Sequence, residues 1–212
     1  MASTPLILAS ASAVRARLLR DAGLTFKTAD SRLDEEALKR GFAQSNDQGD
    51  NEGTKAIEAD TDALALKLAE AKALAVSATS PGALVIGADQ ILSCAGKRYD
   101  KPKSMEEARS NLLAFRGRPH ILHSGLVLVK DGTAIWRHTV CAILTMRDFS
   151  DHFLDAYLAA AGETVMKSVG CYQLEGPGVQ LIEKIEGDYF TVLGLPLLPL
   201  LGELRRHDVV AT

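Results

Sequence analysis

Asp89 and Lys101 have the surroundings that most directly suggest chemistry in this 212-residue chain. The apolar run Ala83-Leu84-Val85-Ile86 gives way to Gly87-Ala88-Asp89-Gln90, and Lys101-Pro102 follows twelve residues after the carboxylate. A short apolar run bounded by glycines reads as a buried strand, here ending at Asp89. In open α/β sheets, ligands bind beyond the carboxyl ends of such strands. For Asp89 taken alone, a loop carboxylate making local turn bonds is the competing reading. Lys101 is biased to extended backbone by the proline after it, which suits a loop reaching over a site or an ordinary surface connection.

Two further groups extend the set. Ser10-Ala11-Ser12-Ala13-Val14-Arg15 lies where a strand feeds a helix, so unpaired N–H groups and the helix dipole favour an anion there. Serine hydroxyls add donors, and Arg15 can fork onto phosphate oxygens. The plain alternative is that Ser12 caps the helix and Arg15 is solvated. Glu35 and Lys72 complete a collection of acids and cations. Hydrolysis within a triphosphate needs carboxylates to hold a divalent cation and orient water, and cations to neutralise the phosphates. Hard oxygen ligands specify Mg²⁺ or Mn²⁺. Lys72 lies in a strongly helical stretch, where a solvated helix face is the ordinary reading.

These residues need a scaffold. A short buried strand over residues 5–9 precedes a helix from Ala13 to Ala22, stopped by Gly23. A second short strand follows near Leu24–Thr28, and Asp34-Glu35-Glu36 opens another helix. Residues 43–53 carry almost no apolar side chains and read as a mobile loop. A long helix is expected from Ala59 to Val76, then the central strand ending at Asp89. Ser104 and Glu107 form a capping box for a helix over 104–115. Asp131-Gly132 joins strands Ile121–Val129 and Ala134–Leu144 as a hairpin. Ser150 starts a helix through Ala160. A strand near Val179–Ile185, the polar turn 186–189 and a helix begun by Pro196 complete the chain. Early alternation with a central hairpin indicates a mixed α/β sheet.

Composition narrows the function classes. Twenty-four basic against 27 acidic residues leave a net charge of −3, which gives no footprint for nucleic acid or a membrane surface. The apolar segment Leu6–Ala9 is too short for a signal peptide. Pro196 and Pro199 make the leucine-rich 193–201 segment a buried helix, not a span. Cys94, Cys141 and Cys171 are scattered and odd in number, which suits reduced thiols in a cytoplasmic protein. His120 and His123 fall on opposite faces of a strand and cannot chelate together. Structural zinc is therefore not expected.

Several separated motifs resemble the Maf family, in order, from about Leu6 to Arg206. They are Ser10-Ala11-Ser12 with Arg15, Asp34-Glu35, Gly87-Ala88-Asp89, Lys101-Pro102, Glu175-Gly176, and Glu186-Gly187-Asp188-Tyr189 with Val192-Leu193-Gly194-Leu195-Pro196-Leu197. The resemblance implies a single α/β domain over 1–212, an elongated mixed sheet with helices around it and two lobes flanking a cleft (Maf/ITPase-like). It also implies a cytoplasmic nucleoside triphosphate pyrophosphatase, often dimeric, that releases diphosphate and leaves the monophosphate. Asp89 falls on the family's proton acceptor. Ser10, Arg15, Glu35 and Lys101 fall on its phosphate- and metal-site positions, with Lys72 as a companion. Glu35 and Asp89 are thereby the expected ligands of Mg²⁺ or Mn²⁺.

Departures bear on the substrate. Ala13 and Val14 stand where the family usually has Pro then Arg, or a bulky aromatic in one branch. Gln90 replaces a common Thr, and Glu175 a common Gln. The last two look like the branch acting on 7-methyl-GTP, not that acting on dTTP and UTP. A carboxylate can accept the N1–H and amine of guanine together and favours a cationic N7-methylated ring. Val14 cannot stack on a base, and Glu175 also reads as a plain turn residue beside Gly176. Two other classes remain open: a nucleotide-binding regulator of septum formation without turnover, and a nucleic-acid module, which the acidic balance disfavours.

Overall fold

The structure, a computed structural model, describes residues 4–46 and 54–211. Strand β1 (Leu6–Ala9) leads into α1 (Ala13–Asp21), whose N-cap Ser12 accepts a hydrogen bond from Arg15 N–H. A two-residue strand, β2 (Lys27–Thr28), runs parallel to β1 and is shorter than the segment expected from Leu24. Helix α2 (Glu35–Asn46) follows, with Asp34 Oδ1 accepting from Ala37 N–H at its start. It takes in residues 43–46 of the stretch read as a loop, and residues 47–53 lie outside the described residues. Helix α3 (Thr54–Ser77) begins five residues before the expected Ala59.

Strand β3 runs Leu84–Cys94, and this corrects the reading that the central strand ends at Asp89. Gly87-Ala88-Asp89-Gln90 is not a turn but the middle of a strand. Gly87 is there because α3 crosses the sheet so closely that a Cβ would overlap the Ala69 carbonyl oxygen. Gly125 is required for the same reason against Ala65. A hairpin then carries the chain into β4 (Lys97–Tyr99).

Helix α4 (Met105–Phe115) has the expected cap, Ser104 Oγ accepting from Glu107 N–H, while the Glu107 carboxylate reaches back to Lys103 N–H. Strands β5 (Pro119–Lys130) and β6 (Thr133–Met146) form the predicted hairpin, with positive φ at both Asp131 and Gly132 as a tight primed turn demands. Helix α5 (Asp151–Ala161) is capped by Ser150. The strand expected from Val179 begins later, as β7 (Ile182–Glu186), because Pro177–Leu181 coils into a 3-10 turn. Asp188 caps the four-residue helix α6 (Tyr189–Val192), so the polar turn is a helix start. Helix α7 (Leu197–Arg206) closes the fold after Pro196.

The result is a mixed α/β sheet in the order β2-β1-β3-β5-β6-β7, with β4 sharing one edge of β3 with β1. Among the described residues no helix is long and apolar enough to cross a membrane. One face packs Val85, Val127 and Val129 against Ala69, Ala73 and Val76 of α3. The other carries two separate apolar clusters. The first joins Leu8, Ile86, Leu126 and Leu128 to α1 and α7. The second joins Leu92, Leu122 and Leu144 to α4 and α5. Between them on the same face lie the polar Gln90 and Ser124, side chain to side chain at 3.1 Å. That polar break is the floor of a cleft.

His120 belongs to the second cluster, stacked on Phe115, with Nε2 2.7 Å from the Tyr172 hydroxyl. Its Nδ1 has no partner among the described residues, and burial lowers its pKa to about 4. The unfolded chain, with an ordinary value near 6.5, therefore binds the proton first. Stability from this group is full above that value and falls as pH drops toward 4. Denaturation by urea at pH 7.5 and 4.5 is expected to show a loss from this group of about 2–3 kcal/mol. His120→Gln should remove that share of the slope.

Candidate active site

The site forms where β3 loses its neighbours. β1 pairs with β3 only as far as Ala9 opposite Gly87, and β4 takes up the same edge from Leu92. Among the described residues, 88–91 therefore have no strand partner on that side. Arg15 fills part of the gap: Nη1 donates to the Ala88 carbonyl at 2.8 Å and to Ser10 Oγ at 3.2 Å, and Nε donates to the Gly194 carbonyl at 2.7 Å. Those bonds leave the Nη2 hydrogens for a ligand. Burial lowers the Arg15 guanidinium from its usual value, with Asp89 and Glu35 opposing that shift. Ser10 Oγ also accepts from Ser12 N–H at 3.2 Å. Of the two serines, Ser12 is the cap, and Ser10 holds the arginine.

Asp89 projects from the notch toward α3. Its Oδ1 accepts from Lys72 Nζ at 2.6 Å, and the same ammonium contacts Glu35 Oε1 at 2.8 Å. Lys72 and Asp89 are buried, at 8% and 7% exposure. The solvated helix face expected for Lys72 is thus corrected. Small residues Ala65, Ala69 and Ala73, meeting Gly87 and Gly125, bring α3 down onto the sheet and turn Lys72 into the notch. Lys101 keeps contact with solvent on the β4–α4 connection. Partial burial and the nearby Arg15 and Lys72 cations lower its ammonium from the ordinary value, while Glu35 and Asp89 act to raise it. Asp89, Lys101, Arg15, Glu35 and Lys72 thus share one electrostatic neighbourhood.

Two carboxylates converging on one cation are a hard-oxygen donor pair, and that chemistry fits Mg²⁺ or Mn²⁺. Glu35 and Asp89 are the pair that could hold such an ion, beside the point where the Lys72 ammonium now bridges them.

The residues weighed for specificity lie around the edge of β3, in the cleft on the opposite face. Val14, Gln90 and Glu175 all line it, together with Arg15, Lys101 and residues 167–169 and 172–174. Gln90 Nε2 is committed to Ser124 Oγ and the Thr191 carbonyl, at 3.1 and 2.8 Å, leaving its Oε1 as the acceptor. Glu175 Oε1 accepts from Arg17 Nη2 at 2.7 Å, so the carboxylate is oriented with one oxygen engaged. Sequence reasoning missed Arg17, about one turn into α1, and Thr191 and Gly194, whose carbonyls act as fixed acceptors. The run Val192–Leu197 carried a signal for Gly194, which adopts φ +89°, and none for Arg17 or Thr191.

A separate cluster, Asp62 with His123 and Cys141, lies farther along α3. His120 and His123 do point apart, as read. The expectation of no zinc-type ligand group did not consider a carboxylate from α3 and a thiol from β6 joining one of these histidines. Burial raises all three thiols above their ordinary pKa, Cys141 and Cys171 to about 12.

Comparison with known proteins covers nearly the whole chain. Residues 5–207 match the family model described as Maf-like protein. A Brucella suis relative named 7-methyl-GTP pyrophosphatase is 47% identical over 205 residues, covering 97% of both chains. One from Rhizobium meliloti with the same name is 48% identical over 205 residues, with the same coverage. A Paramagnetospirillum magneticum relative named nucleoside triphosphate pyrophosphatase is 49% identical over 201 residues, 95% of this chain and 97% of its own. The chain belongs to the Maf family.

Proposed function

We propose that this protein hydrolyses nucleoside triphosphates to the monophosphate and diphosphate, with 7-methyl-GTP or a similarly modified nucleotide as preferred substrate. The observation that carries this reading is the split of the site around one strand edge. Cations and carboxylates gather at the notch, and a cleft of mixed polarity with an oriented carboxylate adjoins it through Arg15 and Lys101. A triphosphate tail fits the first half and a base the second.

Asp89 then accepts a proton from the water that attacks the α-phosphorus, a role for which a carboxylate needs only hydrogen-bond reach of that water. Arg15, already fixed by three bonds, stabilises charge on the departing diphosphate with Lys101 and Lys72. Because those bonds are made before substrate arrives, little reorganisation accompanies the reaction. Mg²⁺ or Mn²⁺, held by Glu35 and Asp89, supplies neutralisation of phosphate charge when bound. Ser10 orients Arg15, and the N-terminus of α1 faces the same anion. The implied role is removal of modified nucleotides before polymerases use them, in the cytoplasm, by a protein that acts as a monomer or homodimer. Nucleic acid and membranes have no part in it.

Chromatography of reactions with ATP, GTP, dTTP, UTP and 7-methyl-GTP tests the reading. Diphosphate and monophosphate are expected as paired products, with 7-methyl-GTP turned over fastest. Inorganic phosphate as the initial product would place the scissile bond elsewhere. The Glu175 carboxylate is expected to accept the N1–H and amine of guanine on its two oxygens, Oε1 keeping a lone pair beyond its bond from Arg17. Glu175→Gln should therefore lower the kcat/KM preference for 7-methyl-GTP over UTP by roughly tenfold, the scale of about 1.5 kcal/mol for one hydrogen bond to a charged group. An unchanged ratio would remove Glu175 from base recognition.

A further inference from the structure

Asp62, His123 and Cys141 come from three different elements and meet at one point. His123 and Cys141 are direct partners across the β5–β6 ladder, so their side chains share the face on which α3 packs. Gly125, two residues from His123, lets α3 approach close enough for Asp62 to reach them. Asp62 Oδ1 lies 2.8 Å from His123 Nδ1 and 3.1 Å from Cys141 Sγ, and Sγ lies 3.5 Å from Nδ1. A tetrahedral Zn²⁺ with one oxygen, one nitrogen and one sulfur ligand has ligand-to-ligand edges of about 3.3–3.6 Å. The triangle already present needs to open by only about half an ångström to reach that size.

The surroundings fit a ligand histidine. His123 is buried at 1% exposure, and its other ring nitrogen, Nε2, sits 2.8 Å from the buried Ser93 Oγ. A metal-bound imidazole almost always has such a partner on its second nitrogen, which fixes ring orientation and tautomer. Serine suits both states. Its hydroxyl can donate to Nε2 while Nδ1–H is bonded to Asp62, or accept from Nε2–H once Nδ1 carries a metal. Asp62 and Cys141 are only partly buried, so the fourth position opens to water, and Glu58 lies one helical turn before Asp62.

Ser93, His123 and Asp62 also resemble a nucleophile, base and carboxylate relay. That use is disfavoured by the backbone: Ser93 pairs with Arg98 on β4 and with Ile121 on β5, so adjacent N–H groups serve the sheet and not an oxyanion.

We propose that Asp62, His123 and Cys141 form a zinc site, chemically distinct from the Glu35–Asp89 pair, that pins α3 to the β5–β6 hairpin. Thiolate and imidazole select Zn²⁺ over Mg²⁺ and Mn²⁺, which the two carboxylates favour. Asp62 precedes Lys72 by ten residues on one helix, about 15 Å along its axis. The clamp therefore fixes the helix that carries Lys72 without entering the cleft. Binding costs the Cys141 thiol its proton, so one proton is released for each ion bound.

Zn²⁺ titration of chelator-treated full-length protein, in competition with a chromophoric chelator, tests this. One equivalent is expected to bind with release of one proton, and excess Mg²⁺ should not displace it. Co²⁺ in its place should show thiolate charge-transfer absorption and the intense visible bands of four-coordinate cobalt. Cys141→Ser, nearly isosteric, is expected to weaken Zn²⁺ binding by about 100-fold or more and to abolish the charge-transfer band, with its circular dichroism unchanged. Asp89→Asn should bind Zn²⁺ as the parent does, which separates this site from the notch. Absence of stoichiometric binding, a six-coordinate cobalt spectrum, or unaltered affinity in Cys141→Ser would each overturn the assignment.

Discussion

Asp89→Asn is expected to lower turnover of the preferred triphosphate by about a thousandfold, within the range by which a positioned proton acceptor contributes. The asparagine has the same shape, and its carbonyl oxygen can still accept from Lys72, which keeps its 2.8 Å contact with Glu35. The notch therefore stays assembled while its base is lost. Kinetics at saturating substrate should show the fall in kcat, and calorimetry with a non-hydrolysable triphosphate should show binding within a few-fold of the parent. That combination distinguishes a hydrolase from a nucleotide-binding regulator. A regulator would show no turnover in the parent protein with any triphosphate and metal, leaving the substitution nothing to remove. Turnover in the variant within tenfold of the parent would assign proton transfer to another group.

How far such a site can be read from a sequence depends on whether its cause is local. Strand β1, the capped helices α1, α4 and α5, and the Asp131-Gly132 hairpin follow from residues adjacent in the chain, and the structure contains each. The length of β3 does not. Gly87-Ala88-Asp89 has the composition of a turn, but its glycine answers to Ala69 on a helix packed across the sheet. Composition alone cannot distinguish a glycine that bends a chain from one that admits a neighbour. The β3–β4 hairpin is harder to read because Ala95 takes φ +48° where Asn, Asp or Gly is usual, so Gly96 at φ +76° is the turn's one compositional mark.

Side-chain burial at the site is subject to the same limit. Lys72 occupies a helix whose sequence offers no reason to bury a cation, and only Glu35 and Asp89, brought from two other elements, make burial tolerable. Glu175 was legible as a residue of interest, whereas its partner Arg17 looks like any exposed helical arginine until the chain folds. The Asp62–His123–Cys141 group has no motif at all, because its three members join through a strand register and a helix packing distance. The motif order that resembles the Maf family carried the positions that spacing could not. The notch shows why that order matters: Ser10, Arg15, Ala88 and Gly194 are linked by bonds spanning almost the whole chain.

Lys72→Met provides the strongest test of that convergence as a matter of stability. The ammonium lies between two carboxylates, and its nearer partner Asp89 is almost fully buried. Replacing it with a neutral side chain of similar length leaves that carboxylate charged without its closest counter-ion. Removing one member of a buried pair costs about 3–5 kcal/mol, and the lower figure applies here because Arg15 and Lys101 still act on Asp89. Urea denaturation at neutral pH should therefore show a loss of about 3 kcal/mol, and turnover should fall by about 100-fold for want of charge on the transferring phosphates. Added Mn²⁺ should recover part of the lost stability, since a cation held by Glu35 and Asp89 replaces the missing charge and binds only the folded state. The decisive comparison is the double variant Lys72→Met with Asp89→Asn. With the charge gone from both partners it should regain most of the stability lost in the single variant, as a coupled pair requires. A double variant as unstable as Lys72→Met alone would mean that the lysine supports α3 by packing, and that its contact with Asp89 contributes little to holding the notch together.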